Sequence, residues 1–220
     1  MKRMLKAVIG GVTLCLLLSL CGFGGECREI RERVVRLHIL ANSDSEADQA
    51  LKLRVRDAVV EAADGLLDGT ETMEEAKTEI RAQLPRLEQV AQETVYANGY
   101  TYPVTATLCE MYFETRVYDT VTMPAGVYDA VRFTIGAGQG KNWWCVIYPP
   151  MCVQAAVKEQ SLSEVLDSRQ MHIVTGEDGF AVRFKIVEIF EWLLHKQSRA
   201  AAPVACSCKA TGATSPALRR

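Results

Sequence analysis

Between Val34 and Ala62 the hydrophobic period changes once, and that change constrains the fold more than any other feature of the chain. Val35, Leu37 and Ile39 alternate with Arg36, His38 and Leu40, the period of two that marks a strand over Val34–Ala41. Beyond the polar turn Asn42, Ser43, Asp44 and Ser45, the apolar residues Leu51, Val55, Ala58, Val59, Ala62 and Leu66 recur at helical spacing. Ser45 with Asp48 three residues on has the spacing of a capping box, so the helix is expected to begin at that turn. A strand that feeds a capped helix through so short a turn must share one core with it.

The remaining pattern extends this unit. Thr70 is expected to open a second helix with Met73, Ala76, Ile80, Leu84, Leu87, Val90, Ala91 and Val95 on one face; Pro85 is a point of breakage or kinking, and Asn98-Gly99 is a stop. From Tyr100 the texture becomes strand-like. Tyr102–Leu108 and Met111–Tyr118 read as a hairpin, Met123–Gly126 as a turn, Val127–Ile135 as a further strand, and Asn142–Tyr148 as the last, closed by Pro149-Pro150. Gly136, Gly138 and Gly140 between the last two read as a flexible loop. A short helix is expected around Leu162–Leu166 and an amphipathic one over Phe184–His195, while the Ala-, Ser-, Pro- and Gly-rich residues after Gln197 read as a disordered tail. The class is α+β: a mixed or antiparallel sheet of four to five strands packed with two long helices and a C-terminal amphipathic helix. The corresponding segments are 1–25 (leader), 34–153 (core domain), 154–196 (C-terminal extension) and 197–220 (tail).

Lys2, Arg3 and Lys6 precede an uncharged run from Ala7 to Cys21, the layout of a secretory signal. Gly22 and Gly24 supply the small residues a signal peptidase reads, so cleavage is expected, with retention as a membrane anchor the alternative. Lipidation at Cys21 is disfavoured by Leu20, which stands where a small residue is wanted. Export would place Cys27, Cys109, Cys145, Cys152, Cys206 and Cys208 in an oxidising space. Cys145 and Cys152, either side of the Pro-Pro corner, are then the candidate disulfide, and two buried thiols are the other reading. A net charge of −2 leaves no basic field to draw the chain onto nucleic acid.

Four groups of residues invite chemical readings. His38, Asn42, Asp44 and Asp48 stand within eleven residues across the strand-to-helix turn and offer an acid, a base or metal ligands. Capping and local backbone bonding account for the same Asn, Ser and Asp. The glycines of Gly136–Gly140 with Lys141 look like a phosphate cradle, but a strand follows them where such a cradle needs a helix N-terminus. Trp143 and Trp144, adjacent in a strand, point to opposite faces, so one can enter the core while the other meets a partner. No nucleophile elbow, H-E-x-x-H or Cys/His pairing is present, so no catalytic residue, cofactor or metal is assigned.

The wording of these segments goes further than their pattern. LHILANSDSEADQALKLRVRDAV (Leu37–Val59), YPVTATL (Tyr102–Leu108), MPAG (Met123–Gly126) and YDAVRFTIGAGQGKNWWCVIYPPMC (Tyr128–Cys152) together resemble the stage II sporulation protein R family over Val34–Val153. The resemblance implies a protein made in the forespore and exported across its membrane, touching that membrane through the leader before cleavage. There it would trigger a membrane-embedded aspartic protease of the mother cell that processes a sigma-factor precursor. The residues expected to meet that protease are Asn42, Asp44 and Asp48 in the turn and Lys141, Trp143 and Trp144 at the glycine loop. The rival readings are an extracellular hydrolase using His38 with Asp44 or Asp48, and an envelope structural protein held by an uncleaved leader.

Overall fold

The computed structural model describes residues 2–67, 70, 72–118, 121–149, 162–176 and 181–201. Its elements are α1 (Lys2–Glu32), β1 (Val35–Leu40), α2 (Glu46–Ala63), α3 (Met73–Ala97), β2 (Val104–Phe113), β3 (Arg116–Tyr118), β4 (Val121–Met123), β5 (Gly126–Ile135), β6 (Asn142–Tyr148), α4 (162–165), α5 (Ser168–Thr175) and α6 (Ala181–Ala201). Four strands form one sheet in the order β2-β5-β1-β6, and β3 with β4 make a separate two-stranded ribbon. β1 runs parallel to β5 and antiparallel to β6, and β2 is antiparallel to β5, so the sheet is mixed and the class is α+β as expected.

All six residues of β1 are buried, because the strand is internal and both of its faces are covered. Val35, Leu37 and Ile39 face a core shared with Leu51, Val55 and Val59 of α2 and with Ala76, Ile80, Leu87, Ala91 and Val95 of α3. The opposite face belongs to a second core, in which Phe23, Cys27 and Ile30 of α1 meet Phe113, Tyr128, Val146, Ile173 and Phe184. Helices therefore sandwich the sheet.

Several boundaries differ from the sequence reading, each for a local reason. Tyr102–Leu108 and Met111–Tyr118 are not a hairpin. Cys109 and Glu110 between them are no turn-formers, and β2 runs straight through them, pairing along its ten residues from Val104 opposite Ile135 to Phe113 opposite Gly126. The hairpin lies later, where Arg116, Val117 and Tyr118 pair with Met123, Thr122 and Val121. α3 begins one cap later than Thr70: Thr72 accepts from the Glu75 amide while the Glu75 carboxylate accepts from that of Thr72, a complete capping box. Pro85 does not end this helix, which continues to Ala97 with Asn98 as its C-cap, and Gly99 takes a positive φ of 80° as the stop required. The outer edge of β2 is covered at its first residues. Gln92 and Glu88 on α3 accept from the backbone amides of Val104 and Ala106, at 2.8 and 2.6 Å.

The N-terminal segment shows the largest difference. The charged stretch Glu26–Arg33 is not a connector for most of its length: it completes α1, a helix unbroken from Lys2 to Glu32. Arg31 donates to the Ala125 carbonyl at 3.0 Å and pairs with Glu191 of α6 at 2.9 Å, and the Phe23 ring meets Phe184 edge-on at 5.3 Å. Among the described residues no helix is long and apolar enough to cross a membrane. α6 runs six residues past His195, and the rest of the expected tail, 202–220, lies outside the described residues, as do Pro150 and Cys152.

Phe23 is 5% exposed yet belongs to the segment read as leader, which makes it a test of how far the fold extends into that segment. Phe23→Ala should lower the unfolding free energy of the full-length chain by about 3 kcal/mol, measured as a shift in denaturant midpoint with an unchanged slope.

Candidate functional site

β5 and β6 follow one another in sequence but flank β1 in the sheet. Their connection, residues 136–141, must therefore cross the end of β1, where the chain turns into α2. The two segments are laced together there. The amides of Ala137 and Lys141 donate to the side chains of Asn42 and Asp44, at 3.0 and 2.7 Å, and those of Gln139 and Gly140 donate to the carbonyls of Asn42 and Ala41, at 3.1 and 2.9 Å. The glycine loop is thus a bound strap over the strand end rather than the free loop its composition suggests.

The turn beneath is organised by one carboxylate. Asp48 accepts from the Ser43 hydroxyl at 2.6 Å and the Asn42 amide nitrogen at 2.9 Å, while its own backbone amide donates to Ser45, the N-cap of α2. These bonds, that from Ser43 foremost, hold the Asp48 carboxyl below the usual carboxylate range against the upward push of burial. Lys52, one turn further along α2, is 5% exposed; its ammonium donates to Gln49 at 2.6 Å and to the Lys141 carbonyl at 3.0 Å, tying the helix to the strap. Burial draws its pKa down. The glycines are required by contact as well as conformation. A Cβ at Gly140 would fall on the Ser43 carbonyl, and one at Gly136, where φ is 57°, on the Asn42 amide.

The residues named from sequence therefore converge but divide in kind. Asp48 is buried, and the Asn42 side chain is engaged on both sides, so these two build the turn. The exposed residues of the apex are Asp44, Ala137, Gln139, Lys141 and Asn142. Trp143 and Trp144 lie on opposite faces, both half-buried. Trp143 packs on the α2/α3 core beneath the Arg56 guanidinium, 4.3 Å from its ring; Trp144 stacks on His38 with ring centres 4.0 Å apart and meets Phe113 edge-on. Cys145 is disulfide-bonded, and Cys152, read from sequence as its partner, lies outside the described residues.

His38 does not join Asp44 or Asp48. Its Nε2 meets the Asn142 side-chain oxygen at 3.0 Å on the face turned away from α2, and burial pushes its pKa down to about 4. Among the described residues no group of His, Cys, Asp and Glu could hold a metal ion. Sequence reading gave no role to Arg36, the largest fully buried side chain among the described residues. Its Nε donates to the Cys145 carbonyl at 3.1 Å and its Nη2 to the Tyr118 hydroxyl at 2.6 Å, with the rings of Phe113 and Tyr128 4.4 and 5.0 Å from its Cζ. The available signal was a lone cation in the apolar run VVRLHIL.

Two outcomes follow from this geometry. Gly140→Ala should destabilise the protein by about 2 kcal/mol or more and speed amide exchange at Ala137, Gln139 and Lys141, read by hydrogen-exchange NMR. His38 is neutral when folded and titrates near 6.5 when unfolded, so its contribution is whole above pH 6.5 and is lost as pH falls toward 4, on the order of 3 kcal/mol in all. Asp48 adds a separate loss below about pH 4, where the unfolded carboxylate takes up its proton first. Urea midpoints between pH 7 and 4 should show the first slope in the wild type and not in His38→Gln.

Comparison with known proteins bears on the same segments. The sequence model of the family described as stage II sporulation protein R matches residues 31–158, a span that opens at the end of α1 and contains the whole sheet. The stage II sporulation protein R of Bacillus subtilis (strain 168) is 34% identical over 180 residues, covering 72% of this chain and 80% of the relative. No solved structure matches.

Proposed function

This chain belongs to the stage II sporulation protein R family, and on that premise we propose that it is the exported signal of endospore formation that switches on a membrane-embedded aspartic protease. In this reading the protein is made in the forespore and carried by its N-terminal segment across the forespore membrane. From the space beyond, it triggers the mother-cell protease that processes a sigma-factor precursor. The family is named for sporulation and not for a reaction, and the residues once candidates for acid–base chemistry serve other ends here, Asp48 in the turn and His38 in the core.

The observation that carries the proposal is the meeting of the two long motifs, the strand-to-helix turn and the glycine strap, as one hydrogen-bonded apex. A surface held this tightly suits recognition, because little conformational freedom is lost when a partner docks on it. Lys141 and Asp44 present opposite charges there, and Trp143 supplies a half-buried aromatic anchor beside them.

The test is co-production of the chain, the candidate protease and its sigma precursor in a host that does not sporulate, with and without the leader. The wild type should drive precursor cleavage, whereas Lys141→Glu should reduce it at least about tenfold, the loss of a charged contact at an interface centre. The thermal midpoint should stay within a degree or two, since only the Lys141 backbone is tied into the fold. Wild-type processing by a folded Lys141→Glu protein would remove the apex from the contact.

A further inference from the structure

On the face of the sheet turned away from α2 and α3, three neighbouring side chains each carry a nitrogen without a partner: Arg36 Nη1, His38 Nδ1 and Arg132 Nε. They are adjacent by register. His38 stands opposite Arg132 on β5 and Trp144 on β6, and Arg36 lies two residues along β1 on the same face. Arg36 is fully buried and His38 is 3% exposed. A guanidinium keeps its charge at any pH a protein meets, and a buried charge ordinarily has a counter-ion. Among the described residues no carboxylate pairs with either arginine. The rings of Phe113, Tyr118 and Tyr128 around Arg36 spread its charge across their faces, and Tyr118 takes one hydrogen bond, but Nη1 stays unmet.

We propose that this face is a carboxylate-binding site, in which Arg132 receives an Asp or Glu side chain from a protein partner against the wall formed by Trp144 and His38, with the unpaired charge of Arg36 behind it. Arg132 and Trp144 are half-buried and are the members of the group that reach the surface. Arg116, paired with Glu114 at 3.8 Å, stands at the rim 5.9 Å from the Trp144 ring. Clustered arginine, tryptophan and tyrosine with a cationic excess is the composition of a protein hot spot that meets an acidic side chain, and the planar guanidinium of Arg132 suits the oxygens of a carboxylate. Arg36 is covered by the β3–β4 ribbon through Tyr118, so an entering carboxylate reaches Arg132 first.

The site goes beyond the signalling role, and its test needs no protease, so the two can fail separately. Full-length chain labelled at histidine and tryptophan is titrated with a blocked hexapeptide of Asp and Glu, with sodium acetate and with inorganic phosphate, chloride holding the ionic strength constant. The His38 and Trp144 ring resonances should shift saturably with the peptide while those of Trp192 and His172 do not. Arg132→Lys, which keeps the charge but loses the Nε–H, should bind the peptide about tenfold more weakly. Should that variant not fold, the wild-type titration decides alone. Absence of saturation with the peptide, or equal binding by a folded Arg132→Lys, overturns the proposal. Saturation by acetate or phosphate but not by the peptide overturns the assignment to a protein side chain.

Discussion

The Asp48 carboxylate sits where β1 ends, and what it holds there decides the shape of the molecule around it. By accepting from Ser43 and Asn42 it fixes the turn into α2. Asn42 in turn offers its side-chain oxygen and its carbonyl to the strap that joins β5 to β6. That strap has to cross β1, because β1 lies between the two strands it connects. A carboxylate in water would exchange such partners freely; buried, it makes their loss costly, and the crossing is held in one arrangement.

How much of this could be read beforehand depended on whether the governing contact was local. The α2 cap, the stop at Gly99 and the stripe of α3 rest on residues within a turn of each other, and they were legible from spacing alone. The strap was misread as free because its partners, Asn42 and Asp44, lie nearly a hundred positions upstream, and glycine content says nothing about long-range bonds. The continuous β2 was misread because its length is set by β5, which pairs with it residue for residue. For the candidate site, the wording of the turn and strap singled out two segments that the fold brings together. Spacing could not tell that Asp48 and Asn42 would turn inward while Asp44 and Lys141 stay outside.

The buried cations follow different rules. Lys52 donates to a carbonyl and an amide oxygen, so neutral acceptors satisfy its ammonium where the helix is tied to the strap. Arg36 is enclosed mainly by rings, with one nitrogen left over. Both lie within residues 31–158, the span matched by the family model, on opposite sides of the same sheet. A hydrophobic residue of similar volume would be the simpler filling at either place.

The side chains of Glu88 and Gln92 that accept from β2 carry one more consequence. They stand on the same helix that supplies Ile80, Leu87 and Ala91 to the core. Docking of α3 therefore covers an apolar surface and two edge amides, those of Val104 and Ala106, in one event. A chain that has formed its sheet but not yet seated this helix would expose both together, the combination that invites strand-to-strand association between molecules. The seating of α3 is in that sense the step that covers the Val104 end of that edge.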